Sequence, residues 1–172
     1  HTGIKTAAMP PQPIPKSMAA PGLLAYIATS KYADGLPLYR QTNMLQRIGV
    51  DLSRSTISNW MIKLGILIQP LINLMRDYLL ASGYIQMDET TVQVLNEKDR
   101  PATSNSYMWV QRSCSPGCII ILFDYDPTRK QEVPERLLEG FSGYLQTDAY
   151  AGYNLVGSRD DVTLLACWAH AR

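Results

Sequence analysis

Residues 84–92 read YIQMDETTV, a run in which apolar and polar side chains alternate and β-branched residues are frequent. Alternation with a period of two is typical of a strand buried on one face, so we expect a strand over residues 84–95. Asp88 lies inside this strand, although aspartate is uncommon in strands and costly to bury without a partner. The position of Asp88 therefore indicates a compensating partner, unless the chain turns there and the carboxylate caps the turn.

The pattern after residue 95 predicts four further strands and two helices. The strands are expected over 106–112, 118–125, 143–147 and 162–168, and the helices over 130–139 and 150–156. The order β-β-β-α-β-α-β gives three antiparallel strands and then a fourth strand parallel to the first, because βαβ connections are right-handed and pack on the sheet. This order is the start of a ribonuclease-H-like fold, and the predicted fold class is α+β with a mixed sheet.

A second aspartate, Asp148, ends the predicted strand over residues 143–147. If that strand is the parallel neighbour of the strand with Asp88, the two carboxylates lie close together and repel each other unless a cation or a proton intervenes. Mg²⁺ (or Mn²⁺) suits such a pair, because it prefers oxygen ligands and often binds only a couple of carboxylates. Two ions held in this way promote phosphoryl displacement. The structural alternative makes Asp148 the N-cap of the helix that follows.

Other acidic residues near this pair are predicted to have structural roles. Side chains alternate along a strand, so Glu89 points away from Asp88 and is expected to be solvated or ion-paired. Asp124 and Asp126 stand beside Pro127, a setting typical of a turn.

The first half of the chain is predicted to be helical. Residues 1–16 contain four prolines and are expected to form an extended linker. Apolar side chains at helical spacing then predict helices over 17–31, 38–47, from Ser53 or Ser55 to Gly65, and onward to Gly83. The predicted organisation is a linker at 1–16, a helical region at 17–83 and the α+β domain at 84–172.

Residues 38–65 are similar to a helix-turn-helix whose second helix faces DNA. Arginine and asparagine can read base edges, while serine, threonine and lysine suit phosphates. The predicted DNA-contacting residues are Arg54, Ser55, Thr56, Ser58, Asn59 and Lys63, with Ile57, Trp60 and Met61 in the core. The alternative is a plain helical hairpin that packs on the catalytic domain.

Charge is unevenly distributed along the chain. Residues 1–80 carry eight basic and three acidic side chains, whereas residues 81–172 carry eight basic and twelve acidic ones. A basic half fits nucleic-acid binding, and an acidic half fits divalent metal. No apolar run is long enough to span a membrane, no secretory signal is evident, and the three cysteines form no dense framework. We therefore expect a cytoplasmic protein.

The sequence also contains a second group of possible metal ligands. Cys114, Cys118, Cys167 and His170 have spacings that are geometrically possible for a Cys₃His zinc site. The pairs lack the tight spacing of common zinc motifs, which favours separate structural roles.

Five segments resemble, in order, the insertion-sequence-66 family of bacterial transposases. They are KYADGLPLYRQ (31–41), STISNW (55–60), MDET (87–90), GYLQTDAYAGY (143–153) and CWAHAR (167–172). The resemblance implies metal-dependent DNA cleavage and strand transfer by three carboxylates on a ribonuclease-H-like core, with Asp88 as the first acid and Asp148 as the second. The third acid, a glutamate, is expected beyond Arg172, so we expect this chain to be a fragment without activity of its own.

The resemblance also implies the partners, which are transposon-end DNA, target DNA and further copies of the protein assembled on DNA. His170, Arg172 and Tyr150 are expected to be neighbours of the active site. Tyr150 could stack on splayed bases or belong to the core. Two alternatives stay open: a non-catalytic DNA-binding or regulatory module, including one that binds zinc, and a metal-dependent nuclease without transfer activity.

Overall fold

The computed structural model describes Ala7, residues 10–114 and residues 117–170. The protein is α+β, with several helices and a five-stranded mixed sheet. It divides into two compact units, His1–Leu71 and Ile72–Arg172. Within the described residues, no helix combines the length and apolar character needed to cross a membrane.

Three helices form the first unit: α1 (Pro21–Tyr32), α2 (Leu38–Arg47) and the first part of α3 (Arg54–Leu80). Pro21 stands in the first turn of α1, where a missing backbone N–H removes no helical hydrogen bond. The hydroxyl of Ser53 accepts a hydrogen bond from the Thr56 N–H at 3.1 Å and caps α3. The predicted bounds of α2 and the cap at Ser53 are confirmed.

The core of the first unit contains the apolar residues expected from helical spacing. Leu24 and Ile27 of α1 are buried together with Ile57, Trp60 and Met61 of α3.

The proline-rich segment contributes to the same core. Ile14 is only 3% exposed and belongs to the buried cluster. The prediction that residues 1–16 are an unpacked linker is therefore wrong for Ile14. Burial of an isoleucine contributes about 2 kcal/mol, and prolines reduce the conformational entropy that ordering must overcome.

Helix α3 is continuous from Arg54 to Leu80, so the predicted break at Gly65 is wrong. A glycine inside a helix costs only about 1 kcal/mol relative to alanine, which neighbouring residues can offset. Pro70 also lies inside the helix.

The last turns of α3 pack on the sheet of the second unit through Ile72, Met75 and Leu79. The two units therefore divide after Leu71 and not at the predicted boundary of Gly83.

The second unit contains the sheet, in the order β3-β2-β1-β4-β5. Strands β1, β2 and β3 are antiparallel neighbours, whereas β4 is parallel to both β1 and β5. Helix α4 precedes β4, and a 3-10 turn (Ala151–Tyr153) with helix α5 precedes β5, so the predicted element order is confirmed. The bounds are β1 Tyr84–Gln93, β2 Asn105–Ser113, β3 Ile121–Asp126, α4 Glu132–Leu137, β4 Gly143–Thr147, α5 Asn154–Gly157 and β5 Val162–Ala166.

The parallel pairing of β1 and β4 starts at two glycines. The Tyr144 N–H donates to the carbonyl oxygen of Gly83 at 2.9 Å. Gly143 has a φ of +127°, and a Cβ on it would lie 2.2 Å from that same oxygen. The strands can therefore approach here only because Gly143 has no side chain.

Candidate active site

Asp88 and Asp148 lie at matching positions on neighbouring parallel strands. Gln86 of β1 is in register with Gln146 of β4. Each aspartate stands two residues beyond its glutamine, and Asp148 directly follows the end of β4. Because the strands run in the same direction, the two aspartates reach the same level of the sheet. The expected parallel pairing of the two strands is confirmed, with Asp88 inside β1 and Asp148 one residue beyond the end of β4.

Both aspartates line one cavity of about 200 Å³. The cavity lies over β1, β2 and β4, on the face to which Gln86 and Asp88 point. Cys167 and His170, from the segment after β5, line the same cavity. The predicted neighbour His170 thus lines the same cavity as both aspartates, whereas Arg172 lies outside the described residues.

Asp88 is exposed and is held by its own backbone. Its Oδ1 accepts a hydrogen bond from the Glu89 N–H at 2.8 Å. Because Asp88 stays in contact with solvent at the cavity, its strand position carries no large desolvation cost. This exposure explains how an aspartate can stand inside a strand without the cost of burying its carboxylate.

Asp148 is held by a tight turn. Its Oδ1 accepts a hydrogen bond from the Tyr150 N–H at 2.9 Å, which satisfies a backbone donor before the 3-10 turn. Ala149 adopts a left-handed φ of +69°, unusual for a residue other than glycine. The Oδ2 of Asp148 lies 3.7 Å from Nη2 of Arg129. The N-cap of the 3-10 helix is Tyr150, without a side-chain cap, so the alternative that Asp148 is the helix N-cap is wrong. The Asp148 carboxylate instead closes the turn before that helix and also lines the cavity.

Glu89 points to the opposite face of the sheet, and its side chain is fully buried. Nε of Arg129 donates a hydrogen bond to Oε1 at 2.5 Å, and the hydroxyl of Tyr153 donates to Oε2 at 2.5 Å. The predicted ion pair is confirmed, while the alternative of solvation is wrong. Burial raises the pKa of Glu89, although the hydrogen bonds from Tyr153 and Arg129 oppose that rise.

Arg129 connects this buried carboxylate with the Asp148 turn. Its guanidinium lies 3.7 Å from the centre of the Tyr150 ring, and the Tyr150 hydroxyl donates to the Arg129 carbonyl at 2.7 Å. Tyr150 therefore packs against the arginine and is only partly exposed. The sequence did not reveal Arg129, because the residue stands in a loop before α4 without periodicity. The signal in the sequence was the expected ion pair of Glu89, which requires a cationic partner.

The three cysteines are free thiols. In the described part of the chain, no three His, Cys, Asp or Glu residues lie together in a metal-binding arrangement. Cys118 is exposed, and Sγ of Cys114 accepts a hydrogen bond from Arg112 at 3.4 Å. The Cys₃His set considered from the sequence is therefore not assembled. Asp88 and Asp148 remain an oxygen-donor pair of the kind that suits Mg²⁺.

The residues predicted to contact DNA lie at the start of α3. Arg54, Ser55, Asn59 and Lys63 are exposed, whereas Thr56 and Ser58 are partly buried. Arg54, Ser55 and Ser58 line a shallow groove together with Lys31 and Tyr39 of the same unit. The hydroxyls of Ser55 and Thr56 each lie 2.8 Å from that of Ser53, so both also belong to the helix cap.

Comparisons with known proteins identify a family and several relatives that are similar to this chain. The model of the transposase IS66 family matches residues 16–172. The uncharacterized protein y4qI of Sinorhizobium fredii (strain NBRC 101917 / NGR234) is 35% identical over 184 residues, which cover 99% of this chain and 34% of that protein. The uncharacterized protein y4jD of the same strain is 28% identical over 185 residues, covering 100% of this chain and 36% of that protein. The chain thus spans about a third of these relatives, and no solved structure matches it.

Proposed function

Because this chain belongs to the IS66 transposase family, we propose that it is part of an enzyme that cleaves DNA at transposon ends and joins those ends to target DNA. The observation that carries the proposal is the position of Asp88 and Asp148. They come from neighbouring parallel strands and line the same cavity. Their oxygen donors fit Mg²⁺ or Mn²⁺, and the partners of the enzyme would be transposon-end DNA, target DNA and further copies of itself.

The sheet supports a ribonuclease-H-like interpretation of this domain. Three antiparallel strands are followed by a crossover through α4 to a strand parallel to β1. A three-carboxylate site of this type needs one acidic ligand beyond Asp88 and Asp148. Since the chain spans about a third of its relatives, we expect that ligand from residues outside it.

In this proposal the chain's own residues hold and orient the two carboxylates. Asp88 presents its carboxylate from a strand, with one oxygen fixed by the Glu89 N–H. Asp148 is oriented by the Tyr150 N–H on one oxygen and by Arg129 near the other. When bound, the metal supplies activation of the attacking oxygen and stabilisation of the leaving oxygen.

The test replaces each aspartate by asparagine in the full-length protein, with Asp160→Asn as the matched control, since Asp160 is an exposed aspartate after α5. Asp88→Asn and Asp148→Asn keep the side-chain shape but lose the charge that attracts a cation. We expect each to reduce DNA cleavage by about 100-fold or more and to weaken Mn²⁺ binding measured by calorimetry. Thermal melts in chelator should stay near wild type. Wild-type cleavage by either variant would remove that residue from the site.

The helical unit is proposed to bind DNA through the exposed residues of α3. Arg54→Gln and Lys63→Gln should each weaken DNA binding and reduce the salt dependence. The slope of log affinity against log salt falls by roughly 0.9 for each lost phosphate contact. Arg136→Gln is the control, since Arg136 is an exposed cation of the other unit that pairs with Asp126. If both α3 variants keep the wild-type slope, this helix has a packing role instead.

A further inference from the structure

A half-buried arginine, Arg112 of β2, lines the same cavity as Asp88 and Asp148. We propose that Arg112 binds a non-bridging oxygen pair of the DNA phosphate that is presented to the two aspartates. The inference rests on the proposed function, because it names the group that holds the phosphodiester substrate. It assigns Arg112 to substrate binding, a role that the aspartates cannot fill because they repel phosphate.

Arg112 is fixed by a relay of side chains across three strands. Its Nη1 donates a hydrogen bond to Oε1 of Gln86 at 2.6 Å. Nε2 of Gln86 donates to Oε1 of Gln146 at 2.7 Å, and the Tyr84 hydroxyl donates to the same oxygen at 2.5 Å. The relay links β2, β1 and β4, the strands over which the cavity lies. The guanidinium is therefore held in a defined position before any ligand arrives.

The other side of the guanidinium is unused among the described residues. Both hydrogen bonds of Arg112, to Gln86 and to Cys114, start from Nη1. An arginine also carries donors on Nε and Nη2, which form a planar fork suited to two oxygens of one phosphate. A fork of this geometry recognises phosphate better than a lysine ammonium does.

Arg112 also differs from the other arginines of its unit in lacking an anion. Each of the other described arginines there forms an ion pair with a carboxylate: Arg76, Arg100, Arg129, Arg136 and Arg159. In the described ranges, no carboxylate lies within ion-pair distance of Arg112. A partly buried cation without a counter-charge is unfavourable, so an anionic ligand would be stabilising there.

The register between β1 and β2 fixes the separation of Arg112 and Asp88 along the sheet. Gln86 stands opposite Arg112, and Asp88 stands opposite Val110. Arg112 is therefore two residues, about 7 Å, along β2 from the position facing Asp88, and on the same face of the sheet. A phosphate bound by Arg112 would therefore lie on the face of the sheet to which Asp88 points, in the cavity that both residues line.

The experiment measures DNA binding by the full-length protein in chelator, so that neither cleavage nor metal affects the result. The cleaved position is first mapped with the wild type. Duplexes are then made with a neutral methylphosphonate at that phosphate or at one of its neighbours, and their Kd values are compared for wild type, Arg112→Gln, Arg112→Lys and the control Arg136→Gln. Thermal melts verify that each variant is folded.

We expect Arg112→Gln to weaken binding of the unmodified duplex by about tenfold, the loss of one charge-assisted contact. At one position, the methylphosphonate should weaken wild type and Arg136→Gln equally but weaken Arg112→Gln no further. Arg112→Lys should show an intermediate loss, and it replaces the glutamine variant in this comparison if the latter does not fold. Wild-type affinity of Arg112→Gln, or additive losses at every position, would overturn the assignment. Failure of the proposed function is distinct, because it appears as unchanged cleavage by Asp88→Asn and Asp148→Asn.

Discussion

The hydroxyl of Tyr153 donates a hydrogen bond of 2.5 Å to the buried carboxylate of Glu89. The Tyr153 ring is itself buried and packs edge-on against Trp109, with ring centres 6.0 Å apart. Because Glu89 is the neighbour of Asp88 in β1, this bond anchors one face of the strand while Asp88 is presented on the other. The two carboxylates of consecutive residues thus have opposite environments.

Tyr153→Phe should lower the free energy of unfolding by about 1–3 kcal/mol, because the buried Glu89 loses a donor. Urea denaturation provides the measurement. Tyr144→Phe is the matched control, since the Tyr144 side chain is 53% exposed and its hydroxyl has no hydrogen bond to a described residue. Equal stability of the two variants would show that the Glu89 bond contributes little.

Gly143→Ala should destabilise the protein by roughly 3 kcal/mol or more, within the range of severe backbone changes. The new Cβ would lie 2.2 Å from the Gly83 oxygen, which the β1–β4 pairing keeps in place. Gly140→Ala separates this clash from conformational strain, because Gly140 has a φ of +77° but open space around it. That control should cost only about 1–2 kcal/mol. Similar losses in both variants, measured by urea denaturation, would mean that strain alone explains the effect.

Acidic pH should lower the stability of the fold through protonation of Glu97. Its pKa lies below the ordinary value of 4.5, chiefly because the Tyr125 hydroxyl donates a hydrogen bond to the carboxylate, with further help from Ser106 and Arg100. A carboxyl with a lowered folded-state pKa stabilises the fold above its unfolded pKa, and this stabilisation disappears as the pH falls through the folded value.

Glu97→Gln should therefore melt below wild type at neutral pH and approach it as the pH falls below 4.5. Melting temperature across the acid range is the readout. Glu139→Gln, at an exposed glutamate after α4, should follow the wild-type curve. A pH-independent difference for Glu97→Gln would assign its effect to lost packing.

Ala149→Gly should raise the free energy of unfolding by up to about 1 kcal/mol, because glycine adopts the left-handed φ of +69° without strain. Asp99→Gly is the matched control, because Asp99 also has a left-handed φ, of +60°, but does not line the cavity. Under the proposed function, Ala149→Gly alone should also weaken Mn²⁺ binding, as the turn that orients Asp148 becomes more flexible. Unchanged Mn²⁺ affinity would show that the backbone strain at Ala149 does not affect metal binding.

The sequence was informative wherever one periodicity governed a whole element. Alternation in β1 predicted correctly that Asp88 and Glu89 point to opposite faces. The order of strands and helices placed Asp148 beside the strand of Asp88, and these relations depend only on local pattern and the handedness of the crossover.

The unpredicted features depend on contacts between residues far apart in the chain. The pairing of Arg129 with Glu89 spans 40 positions, and no local pattern marks a loop arginine as the partner of a strand carboxylate. The apolar residues in the second half of α3 also have two different environments, because Met75 and Leu79 pack on the sheet whereas Leu71, Leu74 and Tyr78 are exposed. Helical spacing alone does not show which of these apolar side chains will be buried.

The position of β1 at the centre of the sheet has a consequence for how the two aspartates move. Backbone hydrogen bonds with β2 run past Asp88 to Gln93, so amide exchange at Asp88 should require opening of the sheet itself. Asp148 stands beyond the end of β4 in a turn closed by side-chain acceptors, where local opening is sufficient. The backbone at Asp88 should therefore exchange its amide proton more slowly than the backbone at Asp148. Under the proposed function, the two metal ligands would thus stand on backbone segments of different local stability.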